Sequence, residues 1–326
     1  MLETFTLISH TGMQACISNL GCILQSLKVP DRKGNRRETV LGFDDLSSYS
    51  SSEYLSNYPY FGAIIGRYAN RISNGNFTLN GHTYQLPQNH SNHTLHGGNI
   101  GFDRRVWNPI QYVEEYNGFV ILEYLSPDGE EGFPGNLITQ IKISVEGNSL
   151  TFQISARTDM PTPVNLSLHT YFNLDEDHSS CGSQMIRTSA QHRLIQDLSH
   201  CPTGEIADLS SFAENISAWT QVSMLPDLDS TFVLEDHKGN LQLAAEAMSS
   251  DRNLHLRVCT DQPAVHIYTG SGIPTLPGRK GHIHRPGNGY CFETQIHTDA
   301  VHHPHFPSSI LIPGQVYKHT TQYIFE

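Results

Sequence analysis

Leu137-Ile-Thr-Gln-Ile-Lys-Ile-Ser-Val145, followed by Glu146-Gly-Asn148 and Leu150-Thr-Phe-Gln-Ile-Ser-Ala156, is the stretch whose reading decides the fold. Apolar and polar side chains alternate on both sides of a Gly-Asn turn. That period of two belongs to a strand with one face buried, not to a helix. The same alternation returns in Phe119-Val-Ile-Leu-Glu-Tyr-Leu125, Leu254-His-Leu-Arg-Val258 and Ala264-Val-His-Ile-Tyr-Thr269. Turn residues punctuate it at Asp31-Arg-Lys-Gly34, Asn80-Gly81, Lys238-Gly-Asn240 and Pro313-Gly314. Asn80-Gly81, between Phe77-Thr-Leu79 and Thr83-Tyr-Gln-Leu86, predicts a two-residue hairpin with positive φ at both turn positions. Helical patterning is weak; short helices are expected only near residues 44–54 and 207–215.

Composition agrees. Charged residues are 16% of the 326, against 17 Pro, 26 Gly, 14 Tyr and 14 Phe. Charged helix formers are sparse and turn residues plentiful, which suits a β protein. No repeat, low-complexity linker or charge run divides the chain. The expectation is one all-β domain over residues 1–326, a large antiparallel β-sandwich of two sheets packed face to face.

The formal net charge of -12 argues against nucleic acid or an anionic membrane as partner, since both would repel the chain at long range. No apolar run approaches the ~20 residues that span a bilayer. The first ten residues lack the basic and apolar regions of a signal peptide. Six cysteines (Cys16, Cys22, Cys181, Cys201, Cys259, Cys291) show no CxxC spacing and read as reduced thiols of a cytoplasmic protein. The 19 histidines raise the question of a metal. His282-Ile-His284 and His302-His303-Pro-His305 offer imidazole pairs but lack a matching set of Cys, Asp or Glu, so no metal is expected.

Asn165-Leu-Ser-Leu-His169-Thr-Tyr171-Phe-Asn-Leu174 sets a histidine and a tyrosine two residues apart. In an extended chain both point to one face. A histidine fixed on a strand can donate a proton near neutral pH, although a buried structural histidine is the commoner outcome. Four further segments keep it company: Gly66-Arg67-Tyr-Ala-Asn70-Arg71-Ile72, Leu95-His96-Gly97-Gly98, Leu228-Asp229-Ser-Thr-Phe232 and Tyr290-Cys-Phe-Glu293-Thr-Gln295. The glycines after His96 would let a ligand approach the backbone. Glu293 is a lone carboxylate among Tyr290, Phe292 and Ile296, and burial raises a carboxylate's pKa toward the range of a general base. Each has an ordinary alternative: a surface ion pair for Arg71, a cap for Asp229, a loop position for His96, an edge facing water for Glu293.

The order GRYANRI, LHGG, GFDRRVW (Gly101 to Trp107), NLSLHTYFNL, LDSTF, FETQ and HFPSSILIPGQVY (His305 to Tyr317) resembles the aldose 1-epimerase, or galactose mutarotase, family. The landmarks run in family order from Gly42 to Tyr323. The resemblance implies a β-sandwich with an open sugar cleft, no organic cofactor or metal, and a monosaccharide substrate bound by a monomer or homodimer. It implies Glu293 as general base and His169 as general acid, with Asn70, Arg71, His96 and Asp229 on the sugar. Tyr171 is expected to stack on the sugar, to orient His169, or simply to pack. The expected activity is interconversion of the anomers of free hexoses such as galactose and glucose. A hexose 6-phosphate epimerase would want basic residues at the pocket rim, and a silent sugar binder would have lost His169 or Glu293. There are departures. His266 stands where the family usually has a substrate-contacting glutamine, and is expected in the pocket. Leu168 replaces a frequent asparagine, and the loop Gln295-Ile-His297-Thr-Asp299-Ala300 lacks the aromatic and proline that the family commonly has before Asp-Ala.

Overall fold

The computed structural model describes residues 1–225, 227–235 and 239–326. Leu137–Glu146 and Ser149–Thr158 pair antiparallel along their whole length, and Leu137, Thr139, Ile141, Ile143 and Val145 all turn inward. Asn80 and Gly81 carry φ of 53° and 78° between the paired strands Asn76–Leu79 and His82–Gln85, as the hairpin requires. The turn expected at Lys238-Gly-Asn240 begins outside the described residues.

Among the described residues, nine strands form one sheet, in the order Asn108–Val113, Phe119–Ser126, Leu137–Glu146, Ser149–Thr158, Tyr317–Phe325, His255–Thr260, Gln242–Met248, Met185–Thr188, Thr220–Gln221. Six more form a second: Tyr171–Phe172, Tyr290–Gln295, Ala264–Tyr268, Asp229–Val233, His192–Gln196, Pro202–Asp208. Apolar rings join the two layers. Phe152 meets Tyr323 within the larger sheet (centroids 6.1 Å), Tyr323 meets Phe172 across the gap (5.0 Å), and Phe172 meets Phe292 (6.3 Å). Each fully buried ring of this kind contributes about 1.5–3 kcal/mol by leaving water. The sandwich is all-β, as expected.

Helices are shorter than expected. The first region holds a 3₁₀ turn, Leu46–Ser50, and a single α-helical turn, Ser52–Ser56, whose caps Asp45 and Ser51 accept from the N–H groups of Ser47 and Tyr54. In the second, residue 207 still belongs to the strand Pro202–Asp208, and only Leu209–Ser211 turns. Asp208 ends the strand and caps the turn by accepting from the Ser210 N–H at 2.8 Å, and Phe212 returns to an extended backbone. No helix among the described residues is long and apolar enough to cross a membrane.

The smaller sheet positions the site. Along Tyr290–Gln295, side chains alternate: Phe292 faces the core, and Thr294 bonds His319 and Thr321 of the larger sheet, while Cys291, Glu293 and Gln295 face the other way. His266 lies opposite Glu293 in register, and Thr231 lies opposite His266. The register thus gathers Glu293, His266, Thr231 and Asp229 on the face away from the core.

Candidate active site

A cavity of about 610 Å³ opens on that face, lined among others by Asn70, Arg71, His96, His169, Tyr171, Asp229, His266 and Glu293. Every site residue expected from the sequence is therefore on its wall.

His169 arrives on a broken strand. Ser167–Leu168 pairs with Ile64–Ile65 and Tyr171–Phe172 pairs with Tyr290–Cys291, so the stretch is two short strands rather than one. The chain changes partners at His169 and Thr170. Backbone bonds from His169 N to Ala63 O (2.9 Å) and from Gly62 N to His169 O (3.0 Å) pin the crossing. His169 and Tyr171 still share a side, with rings 4.9 Å apart, while Leu168 turns into the core. The His169 Nε2 lies 3.7 Å from Glu293 Oε1, and Cys291 Sγ lies 3.5 Å from its Nδ1. Burial lowers the His169 pKa below the ordinary histidine value, and the Glu293 charge opposes that in part. Glu293 is 2% exposed, and its Oε2 has no partner within the protein, so an acceptor is left for a ligand.

The opposite wall comes from two loops. Arg71–Ile72 pairs with Thr94–Leu95, which brings His96 beside Asn70. Asn70 (φ 63°) and His96 (φ 50°) both take the left-handed conformation and bond each other twice: His96 N donates to Asn70 O, and Asn70 N donates to His96 Nδ1, each at 3.1 Å. The second bond puts the His96 proton on Nε2. Burial pushes the pKa of His96 well below the ordinary value, so it is a neutral donor. Gly97 serves a different purpose from the one expected. A Cβ there would strike the carbonyl oxygen of Gly66, so the glycine allows two backbone segments to touch rather than a ligand to approach.

Arg71 bonds Asn70 Oδ1 (3.2 Å) and approaches Asp229 Oδ2 (3.6 Å), with its buried Nε unpartnered. The other arginine of the motif is structural. Arg67 spends its fork on Ser126 Oγ and on the carbonyls of Ser126, Pro127 and Pro134 at 2.8–3.0 Å. Burial pushes Asp229 up, but the hydrogen bond with His266 and the charge of Arg71 outweigh it and hold the carboxyl well below the usual range. His266 lines the cavity, yet both its ring nitrogens are engaged: Nε2 with Asp229 Oδ1 at 2.5 Å, Nδ1 with Thr231 Oγ1 at 2.9 Å. The pocket position expected of it is met, and each ring nitrogen already has a partner within the protein.

Sequence reasoning missed Tyr58, Tyr60, His200 and Tyr268 on the cavity wall. Tyr60 stacks on His169 (5.6 Å, 21°) and meets His96 edge-on (4.7 Å). The run Tyr58-Pro-Tyr60 was the available signal. Among the described residues, the grouping that metal geometry would select is His96, His169 and Glu293, with ligand atoms within 4.8 Å of one another. The N–H on His96 Nε2 argues against it, because that ring presents a proton where a metal needs a lone pair. Three of the five histidines suspected from the sequence have other work: His284 bonds Gly42 O, His305 bonds Gly204 O, and His302 bonds Asp299.

Comparison with known proteins agrees with this geometry. The sequence model of the family described as aldose 1-epimerase matches residues 3–324. Galactose mutarotase of Homo sapiens is 36% identical over 99% of this chain and 94% of its own, and aldose 1-epimerase of Escherichia coli K12 is 31% identical over 98% and 94%. Among solved structures, an aldose epimerase homologue from C. elegans superposes with a TM-score of 0.91 at 25% identity, covering 100% of this chain and 99% of its own. With a family match across nearly its whole length, a sandwich of the same shape and relatives above 30% identity, the chain belongs to the aldose 1-epimerase family.

Proposed function

We propose that residues 1–326 act as one cofactor-independent aldose 1-epimerase domain, a cytoplasmic monomer or homodimer that interconverts the α and β anomers of free hexoses, galactose and glucose among them. The observation that carries this reading is the acid–base pair. Glu293 Oε1 and His169 Nε2 face each other 3.7 Å apart across a cavity whose volume suits a single sugar. In a pyranose the C1 hydroxyl and the ring oxygen are substituents of one carbon, so two groups at this spacing can reach both. Glu293 takes the proton from the C1 hydroxyl while His169 gives one to the ring oxygen. The C1–O5 bond breaks and leaves an open-chain aldehyde. Rotation about C1–C2 presents the other carbonyl face, and the same two transfers run in reverse to close the ring. Arg71 and Asp229 hold hydroxyls away from C1, and His96 donates to a sugar oxygen.

A 6-phosphate substrate is disfavoured by the walls. Among the described residues the lining has one arginine, already facing Asn70 and Asp229, and no lysine, against the carboxylates of Asp227, Asp229 and Glu293. The test is polarimetry of freshly dissolved α-galactose and α-glucose. Glu293→Gln and His169→Asn should each lower turnover by about 10²-fold or more, with unchanged circular dichroism. Near-normal turnover in either folded variant, or no acceleration by the wild-type protein, overturns the proposal.

A further inference from the structure

We propose that a one-way hydrogen-bond relay, Gln295 to Thr298 to Thr231 to His266, holds the Asp229 carboxylate in place, and that His266 acts on the sugar only through it. The proposal rests on the reading of Asp229 as a sugar contact. Its links are Gln295 Nε2 to Thr298 Oγ1 at 3.0 Å, Thr298 Oγ1 to Thr231 Oγ1 at 2.9 Å, Thr231 Oγ1 to His266 Nδ1 at 2.9 Å and His266 Nε2 to Asp229 Oδ1 at 2.5 Å. Gln295, Thr298 and Thr231 are each 0% exposed and His266 is 2% exposed, so water does not compete with the first three bonds.

Direction follows from the two ends. With the Gln295 amide oriented so that its NH₂ faces Thr298, that end donates, and an ionised Asp229 can only accept. Each threonine hydroxyl has one hydrogen. If Thr298 accepts from Gln295 and donates to Thr231, then Thr231 donates to His266 Nδ1 and the imidazole proton sits on Nε2, aimed at Asp229. An imidazolium would break this order. Its Nδ1–H would turn the Thr231 hydroxyl back on Thr298, which would then accept from two donors and leave its own hydrogen unpaired in a dry site, a costly arrangement. The relay is thus complete with a neutral His266. It fixes Asp229 Oδ1 and leaves Oδ2 to Arg71 (3.6 Å), to His200 (3.5 Å) and to a sugar hydroxyl. The histidine at this position has become a bracket for the acid beside it.

Thr231 is outside the cavity lining, so it separates bracing from contact. Thr231→Val keeps the shape and removes the hydroxyl. It should raise KM for galactose about three- to tenfold with kcat changed by less than about twofold, the loss of roughly one hydrogen bond. Thr231→Ser should restore KM. In a His266→Ala background, where the relay is already cut, Thr231→Val should add nothing. A wild-type KM in Thr231→Val, or a rise that persists undiminished in the His266→Ala background, overturns the relay. A second measurement does not depend on the sugar at all: nitrogen-15 shifts of the His266 ring, assigned with His266→Gln, should show a protonated Nε2 and an unprotonated Nδ1. A protonated Nδ1 overturns the relay even if the epimerase reading stands. Correct shifts in a protein that neither binds nor epimerises galactose would uphold the relay's bonds and reject the sugar-contact reading of Asp229.

Discussion

Asp103→Asn should flatten the protein's dependence of stability on pH. Asp103 sits in the 3₁₀ turn Phe102–Arg104 and is 2% exposed, with neither carboxyl oxygen in a hydrogen bond of good geometry. Burial pushes its pKa up to about 7, and the nearby Tyr58 hydroxyl offsets only part of that. An unfolded aspartate titrates near ~3.9. The folded-state value lies above the unfolded one, so the folded chain binds this proton more tightly. Its contribution to stability is complete below about pH 4, is lost as pH rises toward about 7, and is level beyond. Three units at ~1.36 kcal/mol each come to about 4 kcal/mol. At ~2.1 cal/mol/K per residue, 326 residues give an unfolding entropy of ~0.7 kcal/mol/K, so that energy corresponds to about 6 °C in Tm. Asparagine keeps the shape and cannot ionise. In thermal melts the variant's Tm should lead that of wild type by only about 2 °C at pH 5 and by about 6 °C at pH 8. Melting curves whose Tm values run parallel from pH 5 to pH 8 would refute the buried-carboxyl argument.

Arg71→Ala should raise KM and lower kcat together, since it removes the partner of Asn70 and Asp229 along with its own donors; an effect on Tm alone would make it structural. The fall of kcat/KM on the alkaline side should lie below the ordinary histidine range, because burial depresses the His169 pKa and the acid is lost as pH rises through that value. A limb above about pH 7.5 would point to another acid. Activity should survive dialysis against a chelator. Loss that zinc restores would instead assign a metal to His96, His169 and Glu293.

The sandwich was legible because strand period and turn chemistry are local. Leu137–Glu146 announces its buried face in its own residues, and Asn80-Gly81 its turn. The candidate site was legible as a set of residue types in order, not as bonds. Nothing near Arg67 in the sequence shows that its fork is used up by carbonyls some 60 residues away. Thr231 and His266 stand 35 residues apart, so the engagement of both imidazole nitrogens depends on the pairing of two strands. The same holds for Asp299, which anchors the loop after Arg71 through the Ser73 N–H at 3.1 Å. The second expected helix is only the capped 3₁₀ turn Leu209–Ser211, which ends where Phe212 returns to an extended backbone.

Tyr290–Gln295 carries packing and chemistry on alternate residues. Substitution at Cys291, Glu293 or Gln295 leaves the Phe172–Phe292 contact alone, and repacking at Phe292 leaves the cavity wall alone. On one short segment Glu293 lines the cavity while Cys291 and Phe292 each belong to an apolar cluster. Length is what cannot drift. One inserted residue would turn the Phe292 ring toward the sugar and drive the Glu293 carboxylate into the apolar layer, losing both properties together. A redesign of this strand has some freedom of residue choice away from Glu293 and none in the number of residues.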